Sequence, residues 1–281
     1  GRGGSCGSAG GSGTGVGWCI GMMRRRLELL LSLTSRDINK KYKESMLGAL
    51  WGLVVPLIML GIYTVIFSTI FSAQWKGVQV HSKVDYAVLL FIGLIVYNFF
   101  AESLTRAPTA VLHNPNLVKK VVFPLEVLPP VVVLSSLYNA GVAAIALAFF
   151  ILFSSFTFHW ALLLLPILVV PLLMLTLGVT YLFASLGVFF RDVDQFAALL
   201  ARVLQYLTPV LYPSIIFPDA IGKWMRLSPL AVYVEQIRAL IVSGTLPNWG
   251  LYAWAVGWSL LIFFVGYWWF QRTRRAFADV V

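Results

Sequence analysis

The run VLPPVVVLSSLYNAGVAAIALAFFILFSSFTFHWALLLLPILVVPLLMLTLGVTYLFASLGVFF, Val127 to Phe190, contains no Asp, Glu, Lys or Arg. One such residue at mid-membrane costs about 2.5 to 3.5 kcal/mol on insertion scales, so a charge-free run of 64 residues marks chain suited to lipid. A helix needs about 20 residues to cross about 30 Å of hydrocarbon, which makes the run two spans. The break is placed at SSFTFHW, Ser154 to Trp160, where polar and aromatic residues suit the interface. Working outward, Ser45–Trp75, Tyr86–Ala101, Val203–Pro218 and Ala239–Gln271 lack the same four residue types. Together these runs predict an all-α integral membrane protein with six transmembrane helices, near residues 47–73, 86–105, 131–153, 161–190, 196–217 and 250–271. The fourth carries Pro166 and Pro171, so a tilt or kink is expected there. Composition agrees, with 59% hydrophobic and only 11% charged residues, against roughly 25% charged in a soluble domain.

Lys and Arg placement sets the expected orientation. Grouping the connecting segments alternately, 16 of the 21 basic residues fall on the side that holds both termini and the second and fourth loops. By the positive-inside tendency both termini are therefore expected in the cytoplasm. The net charge of +10 then reflects topology and lipid contact, and no nucleic-acid partner is expected. Residues 1–21 are Gly/Ser-rich and too polar for a signal-peptide core, and are expected to form a disordered leader. Both cysteines, Cys6 and Cys19, lie in it, which leaves the remaining chain without a disulfide or a Cys metal site.

Three connecting segments have character of their own. In residues 22–45, Leu27, Leu31, Ile38 and Tyr42 recur near helical spacing among basic residues, as in an amphipathic helix lying in the interface. The second loop is apolar but broken by Pro108, Pro115, Pro124, Pro129 and Pro130, which predicts a short helix around Asn116–Val122 held as a knob between kinks. Before the sixth span, two short helices separate at Ser228–Pro229, with Asp219 as an N-cap and Gly244 as a stop. Too short to span, they are expected as a re-entrant pair on the outer side.

Candidate functional residues are few. Asp192 and Asp194 form a D-x-D, the spacing with which many sugar-transferring enzymes hold a metal, but further ligands are scarce among 11 carboxylates. A polar turn with Arg191 between spans four and five is the favoured reading, and a membrane glycosyltransferase the rival one. In the fifth span, Arg202, Gln205, Pro209 and Tyr212 lie at offsets 0, 3, 7 and 10 and would share one helical face. Such a stripe faces either packed helices or a hydrated path, and in a path Arg202 suits a pyrophosphate. Tyr63, Phe67 and Phe71 line up on span one as packing residues or a stacking surface for sugar rings. No G-x-x-x-x-G-K-[ST] occurs, so any ATP and its magnesium belong to another subunit, and no cofactor or metal is expected in this chain.

Four strings, taken in order, resemble a known family: RDINKKYKESMLGALWGLVVPLIMLGIYTVIFSTIF (Arg36–Phe71), NPNLVKKVVFPLEVLP (Asn114–Pro129), FFRDVDQ (Phe189–Gln195) and LSPLAVYVEQIRALI (Leu227–Ile241). They are similar to the membrane subunit of type-2 ABC exporters for cell-surface polysaccharides, closest to those for O-antigen. The resemblance implies a permease domain over 46–281 in the bacterial inner membrane. It also implies a homodimer, two ATP-binding cassette subunits and a polysaccharide cargo on undecaprenyl diphosphate. In such exporters the second loop supplies a coupling helix, here about Leu112–Phe123, so His113, Asn114, Asn116, Lys119, Lys120 and Phe123 are expected to meet the ATPase. Spans one and five line the conduit, which would give Tyr63, Phe67, Phe71, Arg202, Gln205, Pro209 and Tyr212 to its wall. Arg191, Asp192 and Asp194 match the cytoplasmic junction between spans four and five. Teichoic acid, lipo-oligosaccharide or a drug-like molecule are alternative cargoes.

Overall fold

The computed structural model describes residues 14–42, 51–70, 83–113, 124–152, 160–211, 225 and 227–277. Among them the chain is helical without strands: α1 (Thr14–Tyr42), α2 (Trp51–Ile70), α3 (Lys83–Arg106), a single turn α4 (Thr109–Leu112), α5 (Leu128–Ile151), α6 (Leu165–Phe189), α7 (Val193–Leu207), α8 (Pro229–Ser243) and α9 (Trp249–Thr273). Among the described residues four stretches are long and apolar enough to cross a bilayer: Ala87–Arg106, Leu125–Ile151, Trp160–Phe189 and Trp249–Ala276. Helix α2 is 20 residues without a charge.

Four boundaries differ from expectation, each for a local reason. Helix α1 begins at Thr14, so the second part of the expected leader is helical; TGVGWCIG, Thr14–Gly21, is richer in apolar residues than the Gly/Ser run before it. Pro129 and Pro130 sit in the first turn of α5 rather than in the loop, since a helix start needs no N–H from them. The fourth span opens with a 3-10 segment, Trp160–Leu164, and Pro166 starts the α-helix that follows, leaving Pro171 as the proline inside it. The fifth span is expected as one helix to residue 217, yet α7 stops at Leu207. Thr208 precedes Pro209, whose ring pushes the preceding residue out of the α region, and Thr208 is extended at φ −91°, ψ 136°.

Helix α3 is the central element, packed against α2, α5, α6, α7 and α8. Outside it, α6 and α9 run together with their backbones in direct contact. A Cβ on Gly266 would fall 2.2 Å from the carbonyl oxygen of Gly178, so glycine is required at that crossing. The buried hydroxyls of Thr176 and Thr180 are satisfied within their own helix, Thr176 donating to the Leu172 carbonyl (2.8 Å) and Thr180 to that of Thr176 (2.7 Å).

The loss of helix after Leu207 exposes carbonyls that water would satisfy outside a membrane. Here α8 supplies the donors. Ser228 and Pro229 start α8, and Gly244 ends it in the left-handed conformation (φ 61°), as its sequence predicts. Arg238, buried on α8, donates to the carbonyls of Leu89 (2.9 Å), Pro209 (3.1 Å) and Val210 (2.9 Å). The guanidinium fits because α3 has Gly93 beneath it, where a Cβ would lie 2.2 Å from Nη2. Gly93→Ala is therefore expected to destabilise the protein by roughly 1 to 3 kcal/mol through overpacking. Gly141→Ala, whose Cβ meets nothing within 4 Å, is expected to gain up to roughly 1 kcal/mol from helix propensity. Thermal unfolding of the two purified variants checks the opposite signs.

Candidate transport face and coupling end

Ion pairs tie α1 to the last turns of α3, and the segment before α5 to the one after α9. At the C-terminal turn of α3, Arg106 Nη2 donates to Asp37 Oδ2 of α1 (2.6 Å) and Nη1 to Ser135 Oγ of α5 (3.3 Å). One turn earlier, Glu102 accepts from Lys41 Nζ of α1 (3.1 Å) and from Asn139 Nδ2 of α5 at 2.8 and 3.0 Å. Across the second loop, Glu126 Oε2 accepts from Arg274 Nη1 (2.5 Å) and Gln271 Nε2 (2.9 Å) of the C-terminal segment, while its carbonyl accepts from the Tyr181 hydroxyl (3.0 Å). The loop is thus fastened to α1 on its leading side and to α9 on its trailing side. Gly187 of α6 closes the base of the loop, since a Cβ there would strike the Pro108 backbone at 2.3 Å.

Of the expected coupling residues, exposed His113 closes α4, whereas Asn114, Asn116, Lys119, Lys120 and Phe123, with the expected helix at 116–122, lie outside the described residues. Asp192 occupies the N-cap position of α7, but its side chain makes no capping bond; its carbonyl accepts from Phe196 N (3.0 Å). Asp194 is in the first turn of α7, where a carboxylate favours the helix dipole. Arg191, Asp192 and Asp194 are all exposed, and among the described residues no three His, Cys, Asp or Glu are placed to hold a metal.

Helix α7 packs its small residues Ala197 and Ala201 on α3, and the Tyr97 hydroxyl donates to the Ala201 carbonyl across that contact. Its other faces carry Phe196, Leu199, Val203 and Tyr206 outward, and Arg202 is exposed among them. Arg202 lies nine residues, about 14 Å, along the helix from Val193. Gln205 is half-buried. The four-residue stripe of one helical face is corrected here, because Pro209 lies beyond the helix end and is buried, its carbonyl held by Arg238. Tyr212 and Phe71 lie outside the described residues, as do the side chains of Tyr63 and Phe67 on α2. On that helix Val55, Ile58, Met59, Ile62 and Val65 are exposed. Sequence reasoning missed Glu102, Arg106, Glu126 and Arg238 as organisers, since each is defined by partners distant in the chain; the only local signal is the rarity of charge near apolar runs.

Apolar helices of spanning length around a buried central helix make this a multi-pass membrane protein. Comparison narrows the class: the ABC-2 type transporter family matches residues 28–242, and the chain belongs to that family. It is a transport permease, and as the membrane part of an ABC transporter it works with a separate ATP-hydrolysing partner. Among curated proteins, it is 29% identical over 258 residues to the O-antigen export system permease protein RfbA of Klebsiella pneumoniae, covering 90% of this chain and 95% of that one. It is 27% identical to the protein of the same name from Myxococcus xanthus, over 78% of this chain and 82% of the relative. Similarity extends to the polysialic acid transport protein KpsM of Escherichia coli, at 21% over 84% of this chain and 89% of the relative.

The fastening of the loop predicts a charge-swap result. Arg274→Glu places a second carboxylate against Glu126 and is expected to lower the melting temperature. Glu126→Arg combined with Arg274→Glu is expected to recover at least half of that loss, as read by thermal unfolding in detergent.

Proposed function

We propose that this chain is the permease of an ATP-driven exporter that carries undecaprenyl-diphosphate-linked, O-antigen-like polysaccharide out across the bacterial inner membrane. In this reading two copies pair to enclose the conduit. The observation that carries the proposal is the similarity over nine-tenths of the chain to O-antigen export permeases, within a family match over residues 28–242. Six spans follow if α2 and the α7 region join the four long apolar stretches, and the excess of basic residues on one side puts both termini in the cytoplasm.

The proposed conduit explains the outer face of α7. An arginine directed at acyl chains is costly even by insertion scales, about 2.5 to 3.5 kcal/mol at mid-membrane, whereas a second copy across a hydrated path leaves it solvated. Arg202 would then meet the diphosphate of the cargo with its fork of donors. The exposed apolar residues of α2 and α7 provide the surface that a second copy covers in part. Exposed Leu27 and Leu31 on α1 suit contact with the lipid interface. At the coupling end, the knob over 112–123 would dock on two ATP-binding subunits, where ATP and magnesium are held. Its fastening to α1 and α9 lets a displacement of the knob reach both ends of the chain.

A second reading, export of a different acidic glycan such as a capsular one, draws on the similarity to the polysialic acid transport protein. A glycosyltransferase at Asp192 and Asp194 gains no such support, because the two side chains are exposed and belong to no metal-ligating group among the described residues.

In a strain lacking the chromosomal gene, surface display of the glycan is expected to return with the wild-type chain and with Asp192→Asn plus Asp194→Asn. Arg202→Ala is expected to cut display at least tenfold with lipid-linked glycan accumulating inside, and Lys119→Glu plus Lys120→Glu to uncouple ATP hydrolysis from export. Loss of display in the Asp double variant, or no accumulation with Arg202→Ala, would overturn the assignment. Blotting the glycan on whole and lysed cells gives both readouts.

A further inference from the structure

From Ala87 to Phe100 every position of α3 is buried or half-buried except Asn98, which is exposed. Asn98 lies eight residues, about 12 Å, inside the helix end at Arg106. It makes no hydrogen bond among the described residues. A bare amide at that depth costs several kcal/mol in hydrocarbon, so a polar group is expected against it. A second orphan lies on α5 nearer the coupling end, beside the Arg106–Ser135 contact. Ser136 is 0% exposed, and its Oγ has no hydrogen-bond partner among the described residues.

Asn98 opens on a cavity of about 530 Å³ bordered by α2, α3, α5 and the last turn of α1, and Ser136 stands in its wall without an exposed atom. Its polarity is graded. At the rim stands the Lys41–Glu102 pair (3.1 Å), with Asn139 bonded to Glu102 beside it. Arg106, 3.5 Å from Glu102, is matched by Asp37, so the four charges at the rim cancel. Asn98 follows one turn deeper on α3, and around and beyond it the walls are apolar, formed by Val55 and Met59 of α2, Leu94 of α3 and Ala143 of α5. Charge pair, amide donor and hydrocarbon wall, in that order, match a phospholipid read from headgroup through ester to acyl chain.

We propose that this cavity holds one zwitterionic aminophospholipid of the phosphatidylethanolamine class. Its ammonium lies on the Glu102 carboxylate and its phosphate on Lys41, while Asn98 Nδ2 donates to an ester carbonyl. One acyl chain runs between α2 and α5. Balanced rim charge selects the headgroup: an anionic lipid without an amine leaves Glu102 facing phosphate, and a polyprenyl diphosphate sets two phosphates against it. The site lies apart from Arg202, and a lipid wedged under α2 sets the resting position of that helix against α3.

The test uses the complete transporter, purified in mild detergent, with native mass spectrometry to count bound lipid. After delipidation it is reloaded with equimolar phosphatidylethanolamine and phosphatidylglycerol. The expected result is one phosphatidylethanolamine per permease chain, retained at least fivefold over phosphatidylglycerol. Ala143→Phe, which fills the apolar wall, and Asn98→Leu, which removes the amide, should each cut retention at least fivefold, and Glu102→Gln should abolish the discrimination. Melting temperatures separate lost lipid from lost fold, and the wild-type preference decides alone if a variant does not fold. Equal retention of the two lipids, a polyprenyl diphosphate in their place, or undiminished retention in folded Ala143→Phe and Asn98→Leu overturns the proposal. None of these readouts depends on which glycan is exported.

Discussion

Every backbone N–H and C=O in hydrocarbon must find a partner within the protein, and the break after α7 is where this chain meets that demand with a side chain. Leu207 ends the helix because Thr208 precedes a proline, and the carbonyls of Pro209 and Val210 lie beyond its last turn. Arg238 supplies both bonds and adds a third to Leu89 of α3, so three segments distant in sequence share one guanidinium. Each bond leaves from a different nitrogen of the planar fork, a spread of donors that the single nitrogen of an ammonium lacks. Gly93 is the matching condition on α3. The position of α7 relative to the central helix, and with it the face carrying Arg202, follows from that contact together with the Tyr97–Ala201 bond.

The same logic separates what the sequence discloses from what it conceals. Charge-free runs reveal where helices lie, because the cost of a buried charge is large and independent of tertiary context, and α3, α5, α6 and α9 fall close to their expected places. Gly244 and the Ser228–Pro229 start of α8 are equally readable, since left-handed backbone and proline geometry are local. The end of α7 was also written in Thr208–Pro209, but an apolar run continuing past the proline suggests a helix that continues too. Arg238, Glu102 and Glu126 look from sequence like boundary charges. Their roles depend on residues 28 to 149 positions away, a separation that periodicity cannot register.

Two kinds of packing divide the bundle. Where α6 meets α9 and where α6 meets the turn after α3, glycines bring backbone against backbone, and a displacement there would require several close contacts to part at once. The faces of α2 and α7 that carry Val55, Ile62, Phe196 and Leu199 have no such closure among the described residues. A transporter needs a frame that stays together and a surface that can change partners, and these two kinds of contact supply one of each. Bistability is then expected at the open faces, where the alternatives differ by side-chain contacts and not by rebuilt helices.

This division bears on how a push at the coupling end could reach the proposed conduit. The second loop is fastened by Arg106 to Asp37 on one side and by Glu126 to Arg274 on the other, so it moves with α1 and α9 together or strains both ion pairs. Glu102 extends the first fastening one turn deeper, where its partners Lys41 and Asn139 border the cavity under α2. A tilt of α3 that shifts Glu102 therefore alters the space beneath α2 before it alters anything at Arg202. Because α3 also carries Leu89 and Tyr97, the same tilt acts on the Arg238 bridge and on the seat of α7. Among the described residues the central helix touches the coupling end and both faces left open, which makes it a physical route by which a motor below could change the relation between them.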